Sequence, residues 1–477
     1  MSLHAAVDFG ASSGRVMLGA VGTDHLELTE AARFRNGAVL VPRERGAALY
    51  WDMVGLWRES LTGLQRVAEL ARAAGEPVAS VGVATWAVDY GLLDGDGTLL
   101  AAPRSYRDAR TDGVAERLHQ RVPAAELYRR NGLQHLPFTT VYQLLAEQEE
   151  SLLASARSLL LLPDLVGWWL SGHRGAESTN VSTTGLADVH TGRWAPDLVE
   201  LAGIDPALLA PEHDPGVVLA GLRPEVEEST GLDGARLVAV GSHDTASAVV
   251  GGAAGDERFA YVVCGTWSLV GVELEEPVLT EASLASGFTN ERGVDGRIRY
   301  LHNVMGLWVL QGCLADWGLD STGLPPLLAA AGDLPAGGPV IDVDDPVFLH
   351  PGPMVSRVQR ACEAAGQPVP TERPAVVRCV LDSLAGAFAR AVEDAVRLSG
   401  RDVDVVHVVG GGAQNALLCQ LTADACGRPV LAGPVEATAL GNVLVQARAA
   451  GTVTGGLEDL RALVAKTAEL VRYVPGR

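Results

Sequence analysis

Lysine is almost absent from this chain. Of its 37 basic residues only Lys466 is a lysine; the rest are arginines. A Walker-type phosphate loop needs a lysine after its glycines, and no Gly-Lys-Ser or Gly-Lys-Thr occurs. A protein-kinase fold needs a lysine on its third strand, and a pyridoxal enzyme needs one for its Schiff base. All three classes are disfavoured, so phosphate must be handled by backbone N–H groups, arginine or a metal ion. Positive charge is also scarce overall: 58 acidic residues leave a net charge of −21, which argues against a broad basic field facing nucleic acid. No stretch approaches the ~18 uncharged apolar residues of a membrane span. The start, Met1-Ser2-Leu3-His4-Ala5-Ala6-Val7-Asp8, lacks the basic and apolar regions of a secretory leader. The cysteines, Cys264, Cys313, Cys362, Cys379, Cys419 and Cys426, form no Cys-x-x-Cys pair and no zinc spacing. They are expected to be free buried thiols in a reducing compartment. The expectation is a soluble cytoplasmic protein with neither nucleic acid nor membrane as a partner.

What is present is ample apolar material. With 477 residues and 48% hydrophobic content, the chain has enough to fold, into roughly two or three domains. Leu3–Phe9 reads as a strand, broken by the turn-rich Gly10-Ala11-Ser12-Ser13-Gly14 and followed by a second strand, Arg15–Val21. Trp51–Ala74 has helical spacing, with Asp52 placed as its N-cap. Strands are expected at Val78–Ala84, Val88–Leu93 and Leu159–Leu162, with a mostly helical stretch from Thr111 to Ser155 between them. Residues 195–236 read as connecting structure. Strand character returns at Leu237–Val240 and leads through Gly241-Ser242-His243-Asp244-Thr245 into a helix at Ala246–Gly252.

Phe259–Cys264 and Trp267–Val272 then form a second hairpin about Gly265-Thr266, echoing the first and suggesting two domains of related design. Residues 318–353 look loop-rich. A long helix follows at Arg373–Ser399, then the strand Val405–Val409, a turn of three glycines and a helix from Gln414 to Ala425. A strand at Pro429–Ala432 and helices at Ala437–Ala450 and Leu457–Val471 finish the chain. Strands alternating with helices mean an α/β protein. The boundary is placed near residue 246, giving domains 1–246 and 247–477.

Several stretches carry candidate chemistry. Asp8-Phe9-Gly10-Ala11-Ser12-Ser13-Gly14-Arg15 sets a carboxylate at a strand end before a Gly/Ser turn. Such a turn donates N–H and hydroxyl groups to phosphate, and Asp8 suits Mg²⁺ held through water. It also reads as an ordinary tight hairpin with a surface Asp. Gly265-Thr266-Trp267-Ser268 alone reads more readily as a plain hairpin. Gly410-Gly411-Gly412-Ala413-Gln414-Asn415 lies at a strand's carboxyl end before a helix, where open α/β sheets bind ligands. Its glycine spacing is not that of a dinucleotide fingerprint. Asp244 is either a helix N-cap or a general base presented from a strand end. Ser242, His243 and Asp244 are adjacent, so they cannot form a hydrolase triad through their own side chains. Thr85-Trp86-Ala87-Val88-Asp89-Tyr90 offers an aromatic face and a carboxylate, tools for sugar recognition or equally a core tryptophan. Asn303 and Gln311 fall in Leu301–Leu314, a stretch that carries a helix.

Taken together and in order, these segments resemble the FGGY carbohydrate kinases over nearly the whole chain. Asp8–Arg15 is similar to the family's first phosphate hairpin, Thr85–Tyr90 to its sugar segment and Gly241–Ala248 to the segment bearing its base. Asn131–Thr140, Thr179–Thr184, Gly265–Leu269, Asn303–Gln311, Gly410–Asn415 and Gly433–Asn442 continue the match. The resemblance implies two actin-like, ribonuclease-H-like domains with an interdomain active-site cleft. It implies ATP-dependent transfer of phosphate to the 1-hydroxyl of a ketose, L-rhamnulose, with Mg²⁺, by a monomer or small homo-oligomer.

Carried over, Asp244 matches the catalytic base. His243, Thr245 and Asn303 match sugar contacts, with Trp86, Ala87 and Asp89 in the sugar segment. Ala11, Ser12, Ser13, Gly14, Arg15, Thr266, Gln311 and Gly411 match nucleotide contacts. The family's Asp-Thr-Trp-Gly-Val-Asp pattern is altered here: Ala84 and Ala87 stand in place of the first Asp and the Gly. That change bears on which sugar is accepted. Xylulose, fuculose and glycerol are the alternative acceptors, and a non-enzymatic actin-like nucleotide switch is the more distant alternative.

Overall fold

The computed structural model describes residues 1–44, 46–148, 152–254 and 258–476. They form two compact units. The first comprises Met1–Gly255, Glu273–Tyr300 and Ala437–Ala468; the second comprises Asp256–Val272, Leu301–Glu436 and Glu469–Arg477. The boundary expected near residue 246 falls within the Asp244–Val250 helix of the first unit.

The first unit is organised by the strand Ser2–Phe9, buried from Leu3 onward. It pairs antiparallel with Ser13–Val21 on one side and parallel with Val78–Thr85 on the other. A strand enclosed in this way reads as a continuous apolar run rather than an alternating one. The sheet continues through Leu26–Arg35 beyond the hairpin, and through Arg236–Val238, parallel, and Val218–Gly221, antiparallel, at the far edge. The helix Met53–Ala74 packs on the hairpin strands. Asp52 caps it by accepting from the Gly55 N–H at 2.9 Å, and Gly75 ends it in the left-handed conformation at φ 75°.

The second unit repeats this plan. Phe259–Cys264 pairs antiparallel with Ser268–Leu274 and parallel with Val405–Val409, which pairs parallel with Val430–Ala432; Val471–Tyr473 lies antiparallel beside the last. In each unit a hairpin adjoins parallel strands and the far edge is an antiparallel strand. This is the duplicated α/β design expected from the two hairpins. The helix Arg373–Ser399 has the bounds read from its pattern.

Several expectations need correction. Residues 195–236 contain two helices, Pro196–Leu201 and Pro224–Thr230, and the Val218–Gly221 strand. Residues 318–353 contain the helix Leu324–Gly332. The last helix stops at Thr467 and a strand follows. Asn303 lies on the strand Ile298–Val304, before the helix Trp308–Asp316 that carries Gln311. Among the described residues no helix is long and apolar enough to cross a membrane, and all six cysteines are free and buried.

Candidate active site

In the first unit three parallel strands end side by side. Asp8 pairs in register with Ala84, and Phe9 with Thr85. The Trp86 N–H donates to the Phe9 carbonyl at 3.2 Å, and the Thr85 N–H donates to the Ser242 carbonyl at 2.9 Å. The carboxyl ends of these strands therefore bring together Asp8, the Thr85–Asp89 segment and the Ser242-His243-Asp244 turn. This is the edge at which parallel α/β sheets bind ligands.

Asp8 is buried and accepts from Arg15 Nε at 2.7 Å. The turn between them is closed by the Gly10 N–H donating to the Ser13 carbonyl at 2.9 Å and is braced by Asn36, whose Nδ2 donates to the Gly10 carbonyl at 2.8 Å. Gly14 is required there, since a Cβ would sit 2.1 Å from the Phe34 ring. Ala11 and Ser13 are half-buried and Ser12 is exposed at the tip. Gly10–Gly14 has the Gly-x-Ser-x-Gly spacing of a nucleophile elbow, but it joins two antiparallel strands, not a strand to a helix. Among the described residues no three His, Cys, Asp or Glu side chains gather to hold a metal. One carboxylate at a strand end beside a hydroxyl-bearing turn suits Mg²⁺, which keeps most of its waters and takes its other ligands from phosphate.

The sugar-type segment turns inward. Asp89 accepts at Oδ2 from Trp51 Nε1 (2.6 Å), Trp86 Nε1 (2.9 Å) and the Tyr106 N–H (3.2 Å), and at Oδ1 from Gln143 Nε2 (2.9 Å). Its carboxyl pKa is pushed up to about 6 by burial, although these hydrogen bonds oppose the shift. Trp86 is itself buried and Ala87 is half-buried. Val88, between Ala87 and Asp89, has φ 69°, a left-handed conformation costly for a β-branched residue. Its carbonyl is held by Thr140 Oγ1 at 2.7 Å and Gln143 Nε2 at 3.2 Å.

Asp244 opens its helix, but the N-cap position belongs to His243, and the half-exposed Asp244 side chain makes no cap bond. Asp244 Oδ1 instead accepts from Thr245 Oγ1 at 3.1 Å and lies 3.5 Å from His243 Nε2. The turn is fixed from below by Glu177. One of its oxygens accepts from the Ser242 N–H at 2.9 Å, Ser242 Oγ at 2.7 Å and Thr179 Oγ1 at 2.5 Å; the other accepts from the Thr179 N–H at 2.8 Å. Burial raises the Glu177 pKa despite these bonds. A cavity beside it is lined by Asp164, His173, His213 and Ser242 among others.

In the second unit the equivalent strand ends meet. Val263 and Val409 are neighbours in register, so Cys264-Gly265-Thr266 and Gly410-Gly411-Gly412 leave the sheet together. The hairpin tip is held by the Gly265 and Thr266 carbonyls, which accept from the Leu307 and Trp308 N–H groups at 3.1 Å each. Gly306 allows that approach, since a Cβ there would lie 2.6 Å from the Thr266 carbonyl oxygen. Gln311, half-buried, follows on the same helix. Gly411 is exposed, and a Cβ added to it would have nothing within 4 Å, whereas a Cβ on Gly412 would lie 2.2 Å from Cys264 Sγ. Thr266, Gln311 and Gly411 are thus gathered at one end of this sheet.

Comparison with known proteins decides what these paired sheet ends belong to. Residues 3–251 match the N-terminal domain, and residues 260–450 the C-terminal domain, of the FGGY family of carbohydrate kinases. The chain belongs to this FGGY family. A protein of Bacteroides thetaiotaomicron named Rhamnulokinase is 40% identical over 472 residues, covering 98% of this chain and 95% of that protein. Another of the same name from Enterobacter sp. is 40% identical over 98% of this chain and 94% of that protein. Among solved structures, a ligand-bound xylulose kinase from Lactobacillus acidophilus matches all of this chain and 94% of its own at TM-score 0.80 and 15% identity. Plasmodium falciparum glycerol kinase with ADP matches 99% and 94% at TM-score 0.74 and 14% identity. These structural likenesses show the two-domain actin-like fold.

In this FGGY kinase, sequence reasoning missed Glu177, Glu291 and Arg299, the residues around His243. The polar run Thr179–Thr184 was a signal for the first. Nothing in the local sequence marks the other two. Asn180, in that same run, is fully buried with neither amide atom hydrogen-bonded to the protein, as expected of a group with a non-protein partner.

Proposed function

We propose that this FGGY kinase transfers phosphate from ATP to the 1-hydroxyl of L-rhamnulose, acting in the cytoplasm as a monomer or small homo-oligomer. What carries the reading is the 40% identity, over 98% of the chain, to two proteins named Rhamnulokinase. Sugar-kinase chemistry asks for a carboxylate that can receive the hydroxyl proton as the oxygen attacks phosphorus. Asp244 suits that role: it is presented from a rigid strand end, is half-exposed, and is not engaged in capping.

His243 and Thr245 flank it as sugar contacts, with Ala87 and Trp86 on the same unit; Asn303, in the second unit, is a further proposed sugar contact. Asp89 supports the acceptor side by holding Trp86. Ala11 to Arg15 in the first unit, and Thr266, Gln311 and Gly411 in the second, are the proposed nucleotide contacts, through backbone N–H groups and side-chain donors. Asp8 would hold Mg²⁺, which would supply charge neutralisation on the phosphates. The transition state is loose, so these groups act by positioning and by stabilising charge.

A coupled ADP-release assay over L-rhamnulose, xylulose, fuculose and glycerol, with a no-sugar control, tests the reading. L-Rhamnulose should give the highest kcat/KM. A higher value for another acceptor would reassign the substrate within the family, and sugar-independent turnover would favour a nucleotide switch.

A further inference from the structure

Behind His243 lies a buried ion pair that makes no direct contribution to the acceptor chemistry above. Arg299 is fully buried, and its Nη2 is 3.0 Å from His243 Nδ1 and 2.9 Å from Glu291 Oε2. Its Nε donates to the Arg292 carbonyl at 3.0 Å, which fixes the plane of the guanidinium. Glu291 Oε2 is 3.3 Å from the same His243 nitrogen. On the other edge of the ring, His243 Nε2 faces Asp244 Oδ1 at 3.5 Å. The His243 ring is therefore enclosed by one cation and two carboxylates, all within the first unit.

A guanidinium has only donors, so a hydrogen bond from Arg299 to Nδ1 requires a lone pair on that nitrogen. A neutral imidazole with Nδ1 bare carries its proton on Nε2. Glu291 would favour the opposite tautomer by accepting an Nδ1–H. The Arg299 guanidinium is closer to the carboxylate than the ring is, however; although burial alone would raise the Glu291 pKa, Arg299 foremost and His243 beside it hold it below the usual carboxylate range. Of the two groups facing Nδ1, it is Arg299 that hydrogen-bonds it, at 3.0 Å, whereas Glu291 Oε2 stands off at 3.3 Å as an ion-pair partner.

We infer that Arg299, oriented by Glu291, is a positioning residue that locks His243 as the Nε2–H tautomer, so that His243 offers a donor, not a second base, beside Asp244. The inference rests on the reading of Asp244 as the base. An Nε2–H group next to the acceptor hydroxyl can hydrogen-bond a sugar oxygen but cannot take the hydroxyl proton. The proton then has one destination, the Asp244 carboxylate. A bare Nε2 would compete for it and would leave the sugar oxygen without its donor.

The test is the tautomer itself. Long-range ¹⁵N–¹H correlation spectra of the wild-type enzyme at neutral pH, without sugar, report which ring nitrogen is protonated. The His243 signals are identified by their loss in His243→Asn. The expected pattern is Nε2–H with Nδ1 bare; an Nδ1–H or doubly protonated ring overturns the inference. Arg299→Met should flip the ring to Nδ1–H, donating to Glu291. It should also lower kcat/KM for the sugar by at least ten-fold with the KM for ATP unchanged. Glu291→Gln keeps the guanidinium donor and should keep the Nε2–H tautomer; a flip there overturns the inference even if Arg299→Met does not fold. The tautomer is read without turnover, so a different preferred sugar would revise the functional reading and leave this result standing.

Discussion

The indole rings of Trp51 and Trp86 lie 4.2 Å apart between centroids, and both N–H groups converge on one oxygen of Asp89. Asp89 is therefore the fastener of an aromatic wall and not an open carboxylate. Its pKa, raised by burial from 3.8 to about 6, has a thermodynamic consequence. The folded protein binds this proton more tightly than the unfolded chain does. Asp89's contribution to stability is then greatest below pH 4, falls as pH rises from about 4 to about 6, and levels off above, by about 3 kcal/mol in all. Asp89→Asn has no such ionisation. Denaturation curves of both proteins from pH 3.5 to 8 should differ by a term that changes over this window. A pH-independent difference would show that Asp89 does not titrate there.

Asp244→Asn separates capping from chemistry. His243 occupies the cap position and Asp244 makes no cap bond, so the melting temperature should hardly move. The amide cannot receive the sugar proton, so kcat should fall by roughly 10²- to 10⁴-fold, with ATP affinity near wild type. Turnover close to normal in a folded variant would require a different base, and the enclosed position of Asp89 makes it a poor substitute.

Much of this arrangement was legible in the sequence because local signals agreed with the tertiary structure. Asp52 and Gly75 bound their helix, and Val405–Val409 is a β-branched run that became a buried strand. Leu26–Arg35 is the contrary case. Its Leu, Glu, Ala and Arg residues are good helix formers, yet it is a strand because Ser13–Val21 offers it a full edge to pair with. The Glu291–Arg299 pair was invisible for another reason. Glu273–Tyr300 returns to the first unit after the chain has entered the second, and no local pattern announces such a return.

The helix that begins at Asp244 depends on a close helix crossing. A Cβ on Gly441 would lie 1.9 Å from the Ser247 carbonyl oxygen, and one on Gly251 would lie 2.0 Å from that of Ala437. Thr438 Oγ1 also donates to the Asp244 carbonyl at 3.3 Å. Gly441→Ala should therefore force the two helices apart, costing about 1–3 kcal/mol or more. Because Ser247 is one turn from Asp244, kcat should fall together with the melting temperature. A variant as stable and active as wild type would mean that the crossing yields without strain.

Two adjacent glycines of the second unit should respond in opposite ways. Gly412 is buried, and an added methyl would meet Cys264 Sγ at 2.2 Å and Cys264 Cβ at 2.5 Å. Displacing a side chain that is fully buried in the sheet costs about 1–3 kcal/mol, so Gly412→Ala should lower the melting temperature by several degrees. Gly411 is exposed, has nothing within 4 Å of where its Cβ would be, and does not need a left-handed φ. Gly411→Ala should leave stability unchanged. A methyl there would stand where the nucleotide's phosphates are proposed to approach the backbone, so the KM for ATP should rise several-fold while the KM for the sugar stays constant. Thermal melts and ATP titrations on the two variants check both halves. Equal ATP affinity in Gly411→Ala and wild type would remove Gly411 from the nucleotide site, whereas a destabilised Gly411→Ala would mean that the turn is more tightly packed than its open surroundings indicate.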